Sequence, residues 1–355
     1  MKKLTALLLA LVMVFALAAC NDAGSQNSPS NTPANSPANT PANSPEQPSE
    51  PAGPDPVTLR IGYMPNYASL WGVLSAIDQG CFAEEGITIK LTEFDNGPNE
   101  IAAMEGGSID LAYIGVGAHR LCVLGSATIF APSSVHVTDK IVIHPDSGIQ
   151  TMEDLRGKTI AFNSGSSSET TFKRALAAAG LTEDDVDGYD MAIDNMVPAM
   201  VSGTVDAAVC WNPYSNQILQ QVAGSFEIEF ASGSTNISSW ICLPKYAAEN
   251  HDILVRFTRA LFKGMDWGSK EENYDTVAQL CATQIKSNVE SQLSQVGDAH
   301  WFNIADITAG MNDGTIEGYY ASMQEEFIAD GRLEAGDKKE VSQFVQLDVI
   351  TEALK

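Results

Sequence analysis

The sequence predicts an α/β fold with mostly parallel sheet, set behind an export signal and a long polar tether. Three observations carry this. From Val57 onward, short apolar runs alternate with segments of helical spacing, the order that strand–helix–strand units produce. The stretch from Val57 to Lys355 is roughly 300 residues, enough for two compact lobes with their own cores. Before Val57 the composition changes abruptly: Asn21 to Pro56 holds no aromatic and no large aliphatic residue.

At the N-terminus, Lys2 and Lys3 precede an apolar run from Leu4 to Ala19 broken only by Thr5. A charged start, a short apolar stretch and small residues at its end read as a secretory signal. The run is shorter than the ~20 residues a spanning helix needs. Leu17-Ala18-Ala19-Cys20 resembles a bacterial lipobox. The resemblance implies a signal peptide over 1–19, cleavage before Cys20 and lipid on its thiol. Residues 20–56 then form a tether, with a Thr/Ser-Pro-Ala-Asn repeat running from Thr32 to Pro45. Such a segment has no apolar area to offset its ordering entropy and is expected to stay extended and disordered.

The folded part reads element by element. Val57 to Tyr63 is a strand ending at Pro65, and Trp71 to Gln79 a helix stopped by Gly80. Ile87 to Phe94 is a strand; Asn99 is expected to cap a helix closed by Gly106 and Gly107. Leu111 to Ile114 is a short buried strand, and Gly115 and Gly117 open the next helix. Further strands are expected over Ala127–Ala131, Lys140–Ile143, Thr159–Phe162 and Ala207–Cys210. Beyond Pro244 the pattern turns helical, with Ile253–Met265 and Tyr274–Ile285 the clearest helices.

The net charge is −25, more negative still once Lys2 and Lys3 leave. That excludes a basic footprint for nucleic acid and any adhesion to anionic lipid beyond the anchor. The five cysteines after Cys20 (Cys81, Cys122, Cys210, Cys242 and Cys281) are odd in number, unpaired by spacing and flanked by apolar residues. They read as small buried hydrophobes, not a disulfide framework. Gly157-Lys158-Thr159 lacks the first glycine of a phosphate loop, since Met152 stands there. Glu183 to Asp194 follows a calcium loop only loosely and reads as a solvated connection. The five histidines show no metal-ligand spacing, and no nucleophile elbow or zinc motif occurs.

Several stretches in fixed order carry a family resemblance. They are Arg60-Ile61-Gly62-Tyr63, Gly80-Cys81-Phe82-Ala83-Glu84-Glu85-Gly86-Ile87, Gly107-Ser108-Ile109-Asp110-Leu111-Ala112, Asp154-Leu155-Arg156-Gly157-Lys158-Thr159-Ile160-Ala161, and Gly203-Thr204-Val205-Asp206-Ala207-Ala208 leading into Trp211-Asn212-Pro213-Tyr214. Over Val57 to about Ala223 the chain resembles the substrate-binding lipoproteins of ABC importers in the nitrate, sulfonate, taurine and thiamine-precursor group. The resemblance implies a type II periplasmic-binding-protein fold, with a ligand cleft between two lobes that close by hinge motion. Lobe 1 would comprise 57–134 and 238–355, and lobe 2 would comprise 135–237. It also implies a binding protein, not an enzyme, with no cofactor. The expected partners are a small-molecule ligand, an ABC permease and ATPase, and the membrane through the lipid on Cys20; a monomer is expected. The expected location is the outer face of the cytoplasmic membrane, on the cell surface of a Gram-positive-type bacterium.

Ligands of such sheets sit beyond the carboxyl ends of strands. That points to Met64–Tyr67, Gly115–Gly117, Asn163–Ser168 and Trp211–Tyr214. Gly165, Ser166, Ser167 and Ser168 precede a helical run, and a helix N-terminus with added hydroxyls suits a sulfonate, phosphonate or carboxylate. Many sulfonate-binding relatives carry a His and an aromatic next; this chain has Glu169 and Thr170. With no Arg or Lys in these turns, the expected ligand is neutral, zwitterionic or singly charged. Tyr67 and Trp211 are the aromatics expected to contact it, ahead of Tyr63, Trp71, Tyr113, Tyr214 and Trp240. Asn66, Asp95, Asn96, Gly115, Val116, Glu169, Asn195 and Asn212 complete the expected site. An aliphatic sulfonate or a taurine-like zwitterion fits the serine turn. A pyrimidine or flavin-like ring fits the aromatics, and a sensory role would use the same site.

Overall fold

A computed structural model describes residues 54–136, 139–230 and 236–355. The signal, Cys20 and nearly all of the tether lie outside the described residues. The described residues form one compact unit. No described helix is long and apolar enough to cross a membrane.

The strands, in chain order, are β1 (Val57–Tyr63), β2 (Ile87–Glu93), β3 (Leu111–Ile114), β4 (Thr128–His136), β5 (Lys140–Ile143), β6 (Thr159–Phe162), β7 (Asp187–Asp190), β8 (Ala207–Cys210), β9 (Phe226–Ile228), β10 (Asn236–Cys242) and β11 (Ala299–Trp301). They build two sheets, ordered β11-β4-β10-β3-β1-β2 and β7-β6-β8-β5-β9. The chain is α/β as the alternation predicts, but the sheets are mixed. β2-β1-β3 and β7-β6-β8 are parallel; β10 and β11 in the first sheet and β5 in the second pair antiparallel. The reason is topological: β4 leaves the first sheet and β10 re-enters it, so the two lie side by side in opposite directions. Their pairing runs to His136 and Asn236. The first sheet therefore keeps Val135, His136, Asn236 and Ile237, which the expected division gives to lobe 2.

Each sheet has its own core. In β5 the alternation of a strand sends Ile141 and Ile143 to one face and Val142 to the other. The first two join Ile160, Phe172 and Leu176; Val142 joins Met196, Met200 and Ile218. The larger core covers the first sheet with the Tyr67–Asp78 and His251–Gly268 helices, among others. Those two helices pack so closely that a Cβ on Gly264 would lie 2.4 Å from the backbone nitrogen of Ala76. The five described cysteines are all buried and unpaired by disulfide. The stretch read as a solvated connection after Glu183 contains β7, whose residues are exposed but pair with β6. The cap expected at Asn99 is instead Asn96, whose side chain accepts the Asn99 N–H at 3.0 Å and starts the Gly97–Glu105 helix.

Candidate functional site

Four parallel strands deliver loops to one cleft. After β1, Asn66 caps the Tyr67–Asp78 helix, its Oδ1 accepting the Ser69 N–H at 3.0 Å. After β3, Gly115 leads into a single 3₁₀ turn, Val116–Ala118. After β6, Ser166 caps the Ser167–Ala178 helix. After β8 come Trp211 and Asn212. The strands linking the two sheets add His136, Asp139, Lys140 and Asn236, and the C-terminal third adds Gln295, Asp298 and Trp301. Together they enclose about 850 Å³, counting the space open at the mouth.

Three aromatic side chains form the walls: Tyr113, Trp211 and Trp301. Trp301 is held from behind by Tyr67, Trp71 and His136, at ring-centroid distances of 5.1, 5.3 and 5.5 Å. His136 Nε2 shares hydrogen bonds with Ser134, Ser238 and Tyr113 at 2.8, 3.0 and 3.3 Å. Burial pushes its pKa down to about 4, so this imidazole is neutral at pH 7. Ser166 Oγ accepts the Ser168 N–H at 3.1 Å and donates to the Asn163 carbonyl at 2.7 Å. The first-turn amides of its helix have no intrahelical acceptor. They and the Val116 turn supply oriented N–H groups without a fixed cation.

Of the residues expected from sequence, Asn66, Gly115, Val116, Ser166, Ser167, Trp211 and Asn212 line the cleft, and so does Tyr113, one of the aromatics ranked behind Tyr67 and Trp211. The others do not. Tyr67 is fully buried behind Trp301. Asp95 and Asn195 are exposed, away from the lining. Asn96 is used as a helix cap and donates to Asn163 Oδ1 at 3.3 Å. Gly165 has φ +75° and gives its N–H to Glu169 at 2.7 Å. Ser168 Oγ donates to the Val209 carbonyl at 2.6 Å and accepts the Asn163 N–H at 3.0 Å, tying the helix to the sheet. Glu169 turns to Lys173 at 3.2 Å and Arg332 at 3.9 Å. Burial raises its carboxyl pKa, but the Gly165 N–H and these two cations outweigh that and hold it below the ordinary value. Its charge is thus compensated outside the cleft. The expectation of purely neutral donors also changes, because Lys140, Asp139 and Asp298 line the wall.

The two lobes touch across the cleft. Asn212 Nδ2 donates to Asp298 at 2.8 Å, and Asn216 Nδ2 to Ser294 at 2.9 Å. Arg174 donates to Glu326 at 2.8 Å and to Asp330 at 3.1 Å. Arg332, buried at 3% side-chain exposure, donates to Thr170 Oγ1 and to the Gly117 carbonyl, and lies 4.9 Å from the Phe327 ring centre. This is a closed arrangement, and Arg332 is its most buried link. Arg332→Met is expected to lower ligand affinity about tenfold by removing its charge-assisted hydrogen bond to Thr170, the one that crosses between the lobes and forms only on closure. Titration calorimetry checks this; an unchanged affinity would show that Arg332 holds only its own lobe.

The described residues contain no group of three or more His, Cys, Asp or Glu placed to hold a metal. Burial pushes all five thiols above their ordinary pKa, the opposite of an activated nucleophile.

One sequence relative and two solved structures are similar to this chain. A Bacillus subtilis (strain 168) protein named for binding aliphatic sulfonates is 26% identical over 308 residues, 84% of this chain and 88% of its own. The alkanesulfonate-binding protein SsuA of Xanthomonas axonopodis pv. citri, solved bound to MOPS, superposes with a TM-score of 0.62 at 22% identity, covering 82% of this chain and 98% of that one. The periplasmic nitrate-binding protein NrtA of Synechocystis PCC 6803 gives a TM-score of 0.69 at 14% identity, over 85% and 89%. The two structures share this fold. The family model described as NMT1/THI5 like matches residues 68–271, more than half of the sequence, and the chain belongs to that family.

Proposed function

We propose that this protein is an extracytoplasmic solute-binding lipoprotein that captures an aliphatic sulfonate or a taurine-like molecule and hands it to an ABC permease and its ATPase. One observation carries the reading. The Ser166–Ser167 helix start and the Gly115–Val116 turn, from opposite lobes, meet across one cleft beside Trp211. Amides and hydroxyls at a helix start suit the three oxygens of a sulfonate, and an aromatic wall suits the carbon chain it carries. The Bacillus subtilis relative's name and the MOPS-bound SsuA structure support the same class. Lipid on Cys20 and the tether over 20–56 would hold a monomer at the outer face of the membrane, on a Gram-positive-type cell surface, within reach of its permease. The lobes would divide near 134/135 and 237/238, adjusted by the pairing of His136 with Asn236.

A second reading follows from Tyr113, Trp211 and Trp301. Three aromatic faces would also sandwich a heteroaromatic ring such as a pyrimidine. A thermal-shift screen separates the two. Saturating ligand at a hundred times its Kd adds ~2.7 kcal/mol of stability. Alkanesulfonates and taurine are expected to raise the melting temperature, and hydroxymethylpyrimidine and riboflavin are not; the reverse result selects the ring. Trp211→Ala is expected to weaken the bound member at least about tenfold, and unchanged affinity would remove Trp211 from the site.

A further inference from the structure

Among the described residues that line the cleft, one carboxylate oxygen is buried with no hydrogen-bond partner. Asp139 precedes β5 at the cleft wall, and its Oδ2 is buried without a hydrogen-bond partner. The groups around it are accounted for. The Ser167 hydroxyl hydrogen-bonds the Asp139 carboxyl, and Asp298 repels it. Asp298 itself accepts from Asn212 at 2.8 Å. Lys140, next in sequence, pairs with Glu227 at 3.4 Å. His136 is neutral at pH 7, as its lowered pKa shows. Among the described residues no cation forms an ion pair with Asp139, although a buried carboxylate is costly unless paired. Burial, with Asp298 adding to it, pushes its pKa up to about 7. The aromatic faces of Tyr113, Trp211 and Trp301 line the same space, and such faces attract a cationic nitrogen.

We infer that Asp139 receives a cationic nitrogen of the ligand, so that the solute is a small zwitterion with its anionic end at the Ser166–Ser167 helix start and its ammonium at Asp139. The position of the anionic end rests on the sulfonate reading above; the role of Asp139 does not. A bound ammonium would restore the missing partner of Oδ2 through a charge-assisted hydrogen bond. Asp139 and Ser167 come from the same lobe, so one face of the cleft would read both ends of the molecule.

Titration calorimetry with matched probes tests this: taurine against ethanesulfonate, and β-alanine against propionate. Each pair differs only in the amine. The amine-bearing member is expected to bind at least ~30-fold tighter than its partner, the effect of one hydrogen bond between charged groups. Asp139→Asn keeps the shape and is expected to bring each pair within about threefold by weakening the amine member alone. Its melting temperature gives a second readout. A carboxyl whose folded pKa is raised weakens the fold progressively as pH rises from its ordinary range, about 4, to about 7, above which the loss is complete. Asp139→Asn should therefore melt several degrees higher than the parent at pH 8 and close to it only at or below about pH 4. The inference is overturned if no amine-bearing probe binds, if the desamino partners bind as tightly, or if Asp139→Asn weakens both members equally. Whether taurine outbinds β-alanine is a separate result: equal affinities would end the sulfonate preference and leave the role of Asp139 standing.

Discussion

Gly117→Leu is expected to lower solute affinity by at least about a hundredfold while both lobes remain folded. In the closed arrangement a Cβ at residue 117 would stand 2.1 Å from the carbonyl carbon and oxygen of Ser166 and 2.6 Å from the Ser167 nitrogen. All three are backbone atoms of the other lobe, and they cannot rotate aside as a side chain would. The strain is between lobes, not within the 3₁₀ turn that holds Gly117. The lobes can therefore relieve it by staying apart. If the closed state loses about 3 kcal/mol relative to the open one, apparent affinity falls in proportion to the closed population, about a hundredfold. Calorimetry reads the affinity, and an unchanged melting temperature of the ligand-free protein shows that the lobes survive. Undiminished affinity would mean that the two loops do not meet when ligand is held.

Trp301→Ala is expected to cost about 3–5 kcal/mol of stability and to abolish measurable binding at micromolar ligand. Trp301 is only 5% exposed, packs on Tyr67, Trp71 and His136, and donates its indole N–H to the Val296 carbonyl at 2.7 Å. Truncation would leave a cavity between core and cleft and strand the Tyr67 ring against it. For a domain of this size the melting temperature should fall by roughly 6–20 °C. Trp301→Phe refills most of the volume, so it should recover much of the stability; it loses the indole hydrogen bond and part of the wall. Equal losses in the two variants would place the energy in the hydrogen bond and not in packing.

Much of this architecture is legible in the residues. Strand–helix alternation gives the parallel halves of both sheets, and the loops after β1, β3, β6 and β8 are the ones that reach the cleft. What was not legible has physical causes. β10 reads Asn-Ile-Ser-Ser-Trp-Ile-Cys and is buried throughout. Its serines look like a loop until Ser238 and Ser239 meet Ser134, His136, His119 and Tyr320. β11 has three residues, too short for any periodicity, so Trp301 carries no local signal of its place. Asp298 and Gln295 come from a helical third of the chain with no motif, and only the fold brings them opposite Asn212 and Tyr67. Ser168 and Glu169 show the converse error. A serine-rich helix start looks wholly available to ligand, yet Ser168 is spent on Val209 and Glu169 on Lys173 and Arg332. A side chain's hydrogen-bond partner, not its position in a motif, decides whether it is free to bind.

The central claim is that a sulfonate-class solute is held between the lobes, against Ser166, Ser167 and Trp211. Titrating the purified protein with taurine and a short alkanesulfonate series, while following the fluorescence of Trp211 and Trp301, tests it most directly. The predicted result is a saturable change at one ligand per chain, lost in Gly117→Leu and weakened in Trp211→Ala. No saturable response to any sulfonate, or a response that both variants leave intact, would contradict it.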